Sequence, residues 1–210
     1  MMGRTETFQK DGLWQRVRSL LGRHAEKRDA RRPMSPSGAQ RRNLTARPIE
    51  EELQKAWMLA AERNVSLCVM TLEIDCFSEY LAAYGRDAAE DCLETLERLI
   101  SSMLKREEDY CLRMGQSGFV LVLPDMPMLM GRDLAGKIGQ AVRREGLVNK
   151  ESHAGAVTLG AGLAVVNPEP PFDKDVLNTA KMALRKAQRR GLGRLEIADM
   201  RIDDKRAVAA

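Results

Sequence analysis

No apolar run in this 210-residue sequence approaches the roughly 18–20 residues that a membrane-spanning helix needs. Basic residues stand near the N-terminus, but no apolar h-region follows them, so a secretory signal is not expected. Cysteine is scarce: Cys68, Cys76, Cys92 and Cys111, with no pair in C-x-x-C spacing. In a chain of this length that pattern indicates neither a disulfide framework nor zinc, and it reads as buried, reduced thiols in a cytosolic protein. Of the two histidines, His24 lies in a basic arm and His153 in a polar loop, where a lone imidazole is normally just solvated. No internal repeat is evident.

The net charge of +4 conceals two parts of opposite sign. Residues 1–47 carry 12 Lys/Arg against 4 Asp/Glu, whereas residues 48–210 carry 22 against 26. The basic character therefore belongs to the arm, and the mildly acidic remainder argues against a nucleic-acid surface across the domain. Within the arm, Leu13, Val17, Leu20 and Leu21 recur at helical spacing beside Trp14. Arg16, Arg18, Arg23, Lys27 and Arg28 supply cations elsewhere around the helix. A basic amphipathic helix over 8–28 suits an anionic membrane surface or a partner's groove, and docking on its own domain is the alternative. Cytoplasmic residence, with peripheral contact at the inner membrane through this helix, is the corresponding expectation. Residues 1–30 are thus read as the arm, 31–43 as a Pro/Ser/Gly-bearing flexible linker, 44–200 as the domain and 201–210 as a tail.

Hydrophobic content of 44% and charged content of 30% are ordinary for a domain that buries a real core. Pro48 suits the first turn of a helix, where its missing N–H costs nothing, and Glu50–Glu52 favour that end of the dipole. Ser66–Glu73 reads as a buried strand ending at Glu73-Ile74-Asp75, where period 2 puts both carboxylates on one face. A short helix over Phe77–Tyr84, stopped by Gly85, precedes a long one over Asp87–Leu104. Tyr110–Met114 and Phe119–Leu123 form a hairpin around Gly115-Gln116-Ser117-Gly118. A helix over Leu134–Arg144, a strand over Ala156–Val166, a helix over Asp173–Arg190 and a short strand over Arg194–Ile197 complete the order. Helices interrupting a sheet that contains a hairpin predict an α+β fold, with helices packed over a mostly antiparallel sheet.

Two features carry chemistry if the fold brings them together: the Glu73/Asp75 pair and the hairpin tip 115–118. Hard carboxylate oxygens beside a glycine-bearing turn are what a Mg²⁺–nucleotide site uses. From about Leu44 to Ile197 the chain resembles the GGDEF domain family, the diguanylate cyclases, whose fold is similar to the nucleotidyl cyclase and polymerase palm. Leu44-Thr45-Ala46-Arg47-Pro48 matches the family's L-T-G-L-P, and Glu73-Ile74-Asp75-Cys76-Phe77 matches D-I-D-x-F. Tyr84-Gly85-Arg86-Asp87 stands on the Phe/Tyr-G-H-D segment and Arg113-Met114-Gly115-Gln116-Ser117-Gly118-Phe119 on R-Y-G-G-D-E-F. Val157-Thr158 to Gly162 resembles the V-T-x-S-x-G strand, and Ala180 to Gly191 the A-D-x-A-L-Y-x-A-K-x-x-G helix.

The resemblance implies a site that has lost its parts. The signature's metal acid is Ser117, its following acid is Gly118, and its second glycine is Gln116; no catalytic position is intact. Glu73 replaces the upstream metal Asp and reaches a metal only weakly as a substitute. The guanine-binding positions fall on Leu81 and Glu90, and the phosphate-binding Lys and Arg fall on Gln188 and Leu192, with Arg189 and Arg190 nearby. Phosphoryl transfer depends on charge neutralisation and positioning, so cyclase activity is not expected. What persists is Arg106-Glu107-Glu108-Asp109, on the family's R-x-x-D product site, where Arg and Asp bind cyclic di-GMP; the assisting basic residue falls on Lys137. The resemblance thus implies a cyclic di-GMP receptor, acting on an unknown protein partner and with a homodimer expected. The alternatives are a weak residual cyclase using Mg²⁺ with Glu73, Asp75 and Arg189/Arg190, or a scaffold without ligand.

Overall fold

A computed structural model of the protein describes residues 49–201. The amphipathic arm, the linker, the Leu44–Pro48 match with its expected helix-opening proline, and residues 202–210 of the tail lie outside the described residues. Among the described residues, four helices and five strands follow in the order α1 (Ile49–Glu62), β1 (Leu67–Ile74), α2 (Phe77–Met103), β2 (Tyr110–Met114), β3 (Gly118–Pro124), α3 (Met128–Glu145), β4 (Leu159–Val166), α4 (Asp175–Arg189) and β5 (Leu195–Asp199). Among the described residues no helix is long and apolar enough to cross a membrane.

The strands form one sheet in the order β2-β3-β1-β4-β5, antiparallel except for the β4–β5 pair at one edge. The expected α+β, mostly antiparallel architecture is what the chain adopts. Buried on both faces, β1 reads as a continuous apolar run, and alternation along it divides the core in two. Met70, Leu72 and Ile74 pack with the buried stripes of α2 and α3. Leu67 and Val69 pack on the other face with Leu53 and Trp57 of α1 and with Val176 and Ala180 of α4. A three-layer arrangement results, with α2 and α3 covering one side and α1 and α4 the other.

Close packing explains two residues that a core would otherwise reject. A Cβ at Gly162 of β4 would sit 2.2 Å from both the Ala180 carbonyl and the Leu184 nitrogen, so α4 lies against bare backbone there. Thr71, fully buried on β1, donates its hydroxyl to the Ala180 carbonyl at 3.0 Å, so its polar atom is satisfied where α4 crosses the sheet.

The two helices expected around Gly85 are both present within the α2 span, which breaks at that residue. Gly85 has φ 82° and ψ 175°, a conformation open to glycine and strained for any residue with a Cβ. α3 begins at Met128, six residues before the expected Leu134, because Pro127 with extended ψ opens it. Gly131, in the first turns of this helix, allows a close approach to the sheet: a Cβ there would meet Leu163 at 3.2 Å and Cys68 Sγ at 3.3 Å. β4 begins at Leu159, not Ala156. Ala156 forms an isolated bridge to Val148, and the side chain of Thr158 turns to Asp75.

All four cysteines are free thiols. Burial pushes Cys68 and Cys111 up to about 12 and also raises Cys92, so these thiols stay protonated and behave as small apolar groups.

Candidate functional site

The β2–β3 hairpin carries candidate residues at both of its ends. At the tip, β1 runs antiparallel to β3 with Glu73 opposite Gly118, and the Ile74 N–H donates to the Ser117 carbonyl at 3.0 Å. The turn proper is Gly115-Gln116-Ser117, since Met114 pairs with Gly118. Gly115 takes φ 61°, the left-handed geometry that a tight hairpin demands. Gly118 belongs to β3, where a Cβ would lie 2.4 Å from the Leu72 carbonyl. The carboxylate pair and the tip therefore do come together.

Their hydrogen bonds decide what the tip can hold. Ser117 Oγ donates to Glu73 Oε1 at 2.6 Å, and Gln188 Nε2 donates to Glu73 Oε2 at 2.8 Å. Both oxygens of the half-buried Glu73 are thus capped by neutral donors, one from the hairpin and one from α4. Asp75, 5% exposed, accepts from Thr158 Oγ1 at 2.7 Å and from the Gly193 N–H at 2.8 Å through the same oxygen. Its other oxygen lies over Gly160, whose Cβ would come within 3.1 Å of it.

A divalent cation needs several hard oxygens facing a common point. Here a hydroxyl stands in place of one carboxylate, and that hydroxyl and an amide turn their hydrogens onto the other. Among the described residues no group of three His, Cys, Asp or Glu side chains is placed to hold a metal ion. The residues present do not fit Mg²⁺. Sequence comparison registers Ser117 and Gln188 only as losses; the fold shows that both are donors aimed at one carboxylate, a complementarity visible only once β1, the hairpin and α4 are placed together.

The neighbouring positions are occupied in the same way. Leu81 packs against the core and offers no hydrogen bond, while the carboxylate of Glu90 is engaged by Arg113. Arg113 also lies over the Phe119 ring at 5.5 Å. Arg190 pairs with Glu196 of β5, Arg189 is exposed, and Leu192 is half-buried. Cys76 caps α2 in a left-handed conformation; burial, with Glu79 and Asp75 nearby, pushes its thiol up and keeps it protonated.

At the root of the hairpin, Arg106-Glu107-Glu108-Asp109 forms a turn between α2 and β2. Asp109 Oδ2 accepts from the Arg106 N–H at 3.2 Å. Arg106 Nη1 donates to the Pro124 carbonyl at 3.0 Å and to the Asp125 carbonyl, and it stands 3.8 Å from Asp125 Oδ2. The guanidinium thereby satisfies carbonyls at the end of β3. All its side-chain bonds run through Nη1; the Nε–Nη2 edge, which is the edge that grips two oxygens at once, has no protein partner among the described residues. Asp109 Oδ1 is buried without a donor, and burial raises that carboxyl above the usual aspartate range despite Arg106 beside it.

Lys137 is exposed on α3 and pairs with Asp133, one turn away, at 2.5 Å. Arg63, at the end of α1, donates to Glu108 within the turn at 2.9 Å. Nothing in local sequence links positions 63 and 108; the pairing arises because α1 and the turn meet at the same end of the sheet.

Comparison with known proteins agrees with this architecture. Residues 44–194 match the model of the GGDEF domain, described as diguanylate cyclase, GGDEF domain. Diguanylate cyclase DosC of Escherichia coli K12 is 26% identical over 138 residues, which is 66% of this chain and 30% of DosC. The chain thus spans about 30% of the length of that curated relative. Among solved structures, the active GGEEF domain of a diguanylate cyclase from Vibrio cholerae superposes with a TM-score of 0.62 at 24% identity, covering 70% of this chain and 92% of that one. The GGDEF domain of DgcB from Caulobacter crescentus, solved in complex with c-di-GMP, superposes with a TM-score of 0.65 at 20% identity, covering 76% and 98%. These likenesses establish the fold, and the family match over most of the chain establishes that the protein belongs to the GGDEF domain family.

Proposed function

We propose that this domain is a catalytically silent member of its family that binds cyclic di-GMP at the R-x-x-D turn. One observation carries the reading: at Arg106/Asp109 a bidentate donor edge and a buried carboxylate oxygen both lack a protein partner, whereas at the hairpin tip Glu73 has neither oxygen free. The root therefore retains a donor edge on Arg106 that a phosphate or the acceptor edge of a guanine would satisfy, while Asp109, whose free oxygen is buried, holds the Arg106 backbone in place for it. At the tip the carboxylate that would meet a metal is capped by Ser117 and Gln188, and the base-reading position 90 is tied to Arg113. Lys137 is exposed and, released from Asp133, would supply a further cation. That DgcB was solved with c-di-GMP makes this ligand the first to try.

Calorimetric titration of the protein with cyclic di-GMP tests the reading. Binding is expected, with Arg106→Ala and Asp109→Ala each weakening it at least about 10-fold, which is about 1.4 kcal/mol. No heat with the wild-type protein would leave an interaction scaffold without ligand. In a separate assay with GTP and Mg²⁺, no cyclic di-GMP should form. Turnover abolished by Glu73→Ala would overturn the claim of silence.

A further inference from the structure

Charge is distributed over the described domain in two opposed blocks. Residues 49–201 contain 20 Lys/Arg and 24 Asp/Glu. Residues 174–194, which include α4, hold 7 of those cations and the lone acid Asp175; residues 79–97 of α2 hold 6 acids and the lone cation Arg86. Several of these charges are used internally, since Lys186 and Arg190 pair with Glu196, Lys174 with Glu50, and Glu90 and Glu97 with Arg113.

Six of the others form two rows. Lys181, Arg185 and Arg189 recur at i, i+4 and i+8 along α4, with Met182 beside them 69% exposed. Asp87, Asp91 and Glu94 recur at i, i+4 and i+7 along the outer face of α2, closed by Arg98, which donates to Thr95. No residue of either triplet has an ion-pair partner among the described residues. Residues three or four apart on a helix are surface neighbours, so the two rows have nearly the same pitch. Within one molecule they cannot meet, because α2 and α4 cover opposite faces of the sheet.

We propose that the basic row of α4 docks on the acidic row of α2 of a second copy of this chain. Since the two patches differ and lie on opposite faces, the contact is head-to-tail and propagates to a ring or a short open chain instead of closing as a two-fold pair. It is weak and salt-sensitive, because exposed charges are strongly screened, and Met182 supplies its apolar contact. A second copy is favoured over a nucleic acid because the matching acidic row is already on the molecule and α4 presents no aromatic side chain on which a base would stack.

Sedimentation velocity of the full chain tests this directly. Association is expected at about 20 mM salt and is lost by about 0.5 M. Arg185→Glu/Arg189→Glu and Asp91→Lys/Glu94→Lys should each abolish it alone. An equimolar mixture of the two variants should regain it, since one supplies an intact α4 and the other an intact α2, and the reversed rows also complement each other. A monomeric wild-type protein at low salt, association that persists in either variant alone, or a mixture that fails to associate would overturn the proposal. So would Arg185→Glu/Arg189→Glu removing binding to DNA or an acidic polypeptide while self-association is unchanged.

Discussion

The two ends of the β2–β3 hairpin are built from similar materials and use them in opposite ways. At the tip, Glu73 is held by Ser117 and Gln188 and Asp75 by Thr158 and Gly193, so two acids fasten the hairpin, β1, α4 and the loops before β4 and β5 to one another. At the root, the Arg106 side chain uses a single nitrogen on the protein, and one oxygen of Asp109 is buried without a donor. The tip thus spends its polar groups on the fold, whereas the root leaves the Nε–Nη2 edge of Arg106 without a protein partner among the described residues. A polar residue's role follows from where its hydrogen bonds already go, more than from its identity.

The strongest perturbation of that contrast comes from separating α4 from the sheet. Gly162→Ala places a Cβ 2.2 Å from the backbone of α4, so the helix must move and Gln188 must leave Glu73. A loss of about 3 kcal/mol or more in chemical denaturation is expected, as for overpacking against backbone. Ligand binding at the distant root should survive wherever the variant remains folded.

Next in size is removal of the tip's donors. Ser117→Ala should cost about 1.5–3 kcal/mol, the range for a hydrogen bond to a charged group, and thus lower the midpoint of thermal unfolding by about 3–10 °C. Ser117→Asp places a second carboxylate against Glu73. Its thermal stability should therefore rise on adding Mg²⁺ or Mn²⁺, while that of the wild-type protein does not change. A wild-type protein stabilised by millimolar Mg²⁺ would break the contrast between the two ends.

Arg106→Lys sharpens it from the other side. A lysine still donates to the carbonyls at the end of β3, so stability should fall by no more than about 1 kcal/mol, but it lacks the two-pronged edge. Cyclic di-GMP affinity should fall about 10-fold or more by calorimetry. If affinity and stability instead fall in proportion, Arg106 is structural and the root is no different from the tip.

The smallest effect is electrostatic. Because burial raises the Asp109 carboxyl, the folded protein holds that proton more firmly than the unfolded chain. This group therefore favours the fold most at low pH, and its contribution falls as pH rises from the usual aspartate range through the raised folded value. Asp109→Asn should flatten that part of the stability curve measured by denaturation at several pH values. At neutral pH it should leave stability equal or slightly higher, within about 1 kcal/mol, since the amide oxygen still accepts from the Arg106 N–H.

The amino-acid sequence by itself determined the order of elements, the hairpin and the kink at Gly85, because apolar periodicity and glycine's access to positive φ are local properties. It also brought the Glu73/Asp75 pair to the hairpin tip, since spacing along the family pattern is one-dimensional. The early start of α3 at Pro127 and the late start of β4 at Leu159 were less legible. There Gly131 and Thr158 answer to contacts with Cys68, Leu163 and Asp75, which are remote in the chain. Only the tertiary structure decided that Ser117 and Gln188 cap Glu73, that Arg63 reaches Glu108, and that Arg106 keeps its outer edge unpaired while holding the end of β3. Each of these is a hydrogen bond between segments from 18 to 115 residues apart, and its 3 Å reach depends on the packing of helices against the sheet, not on any local preference.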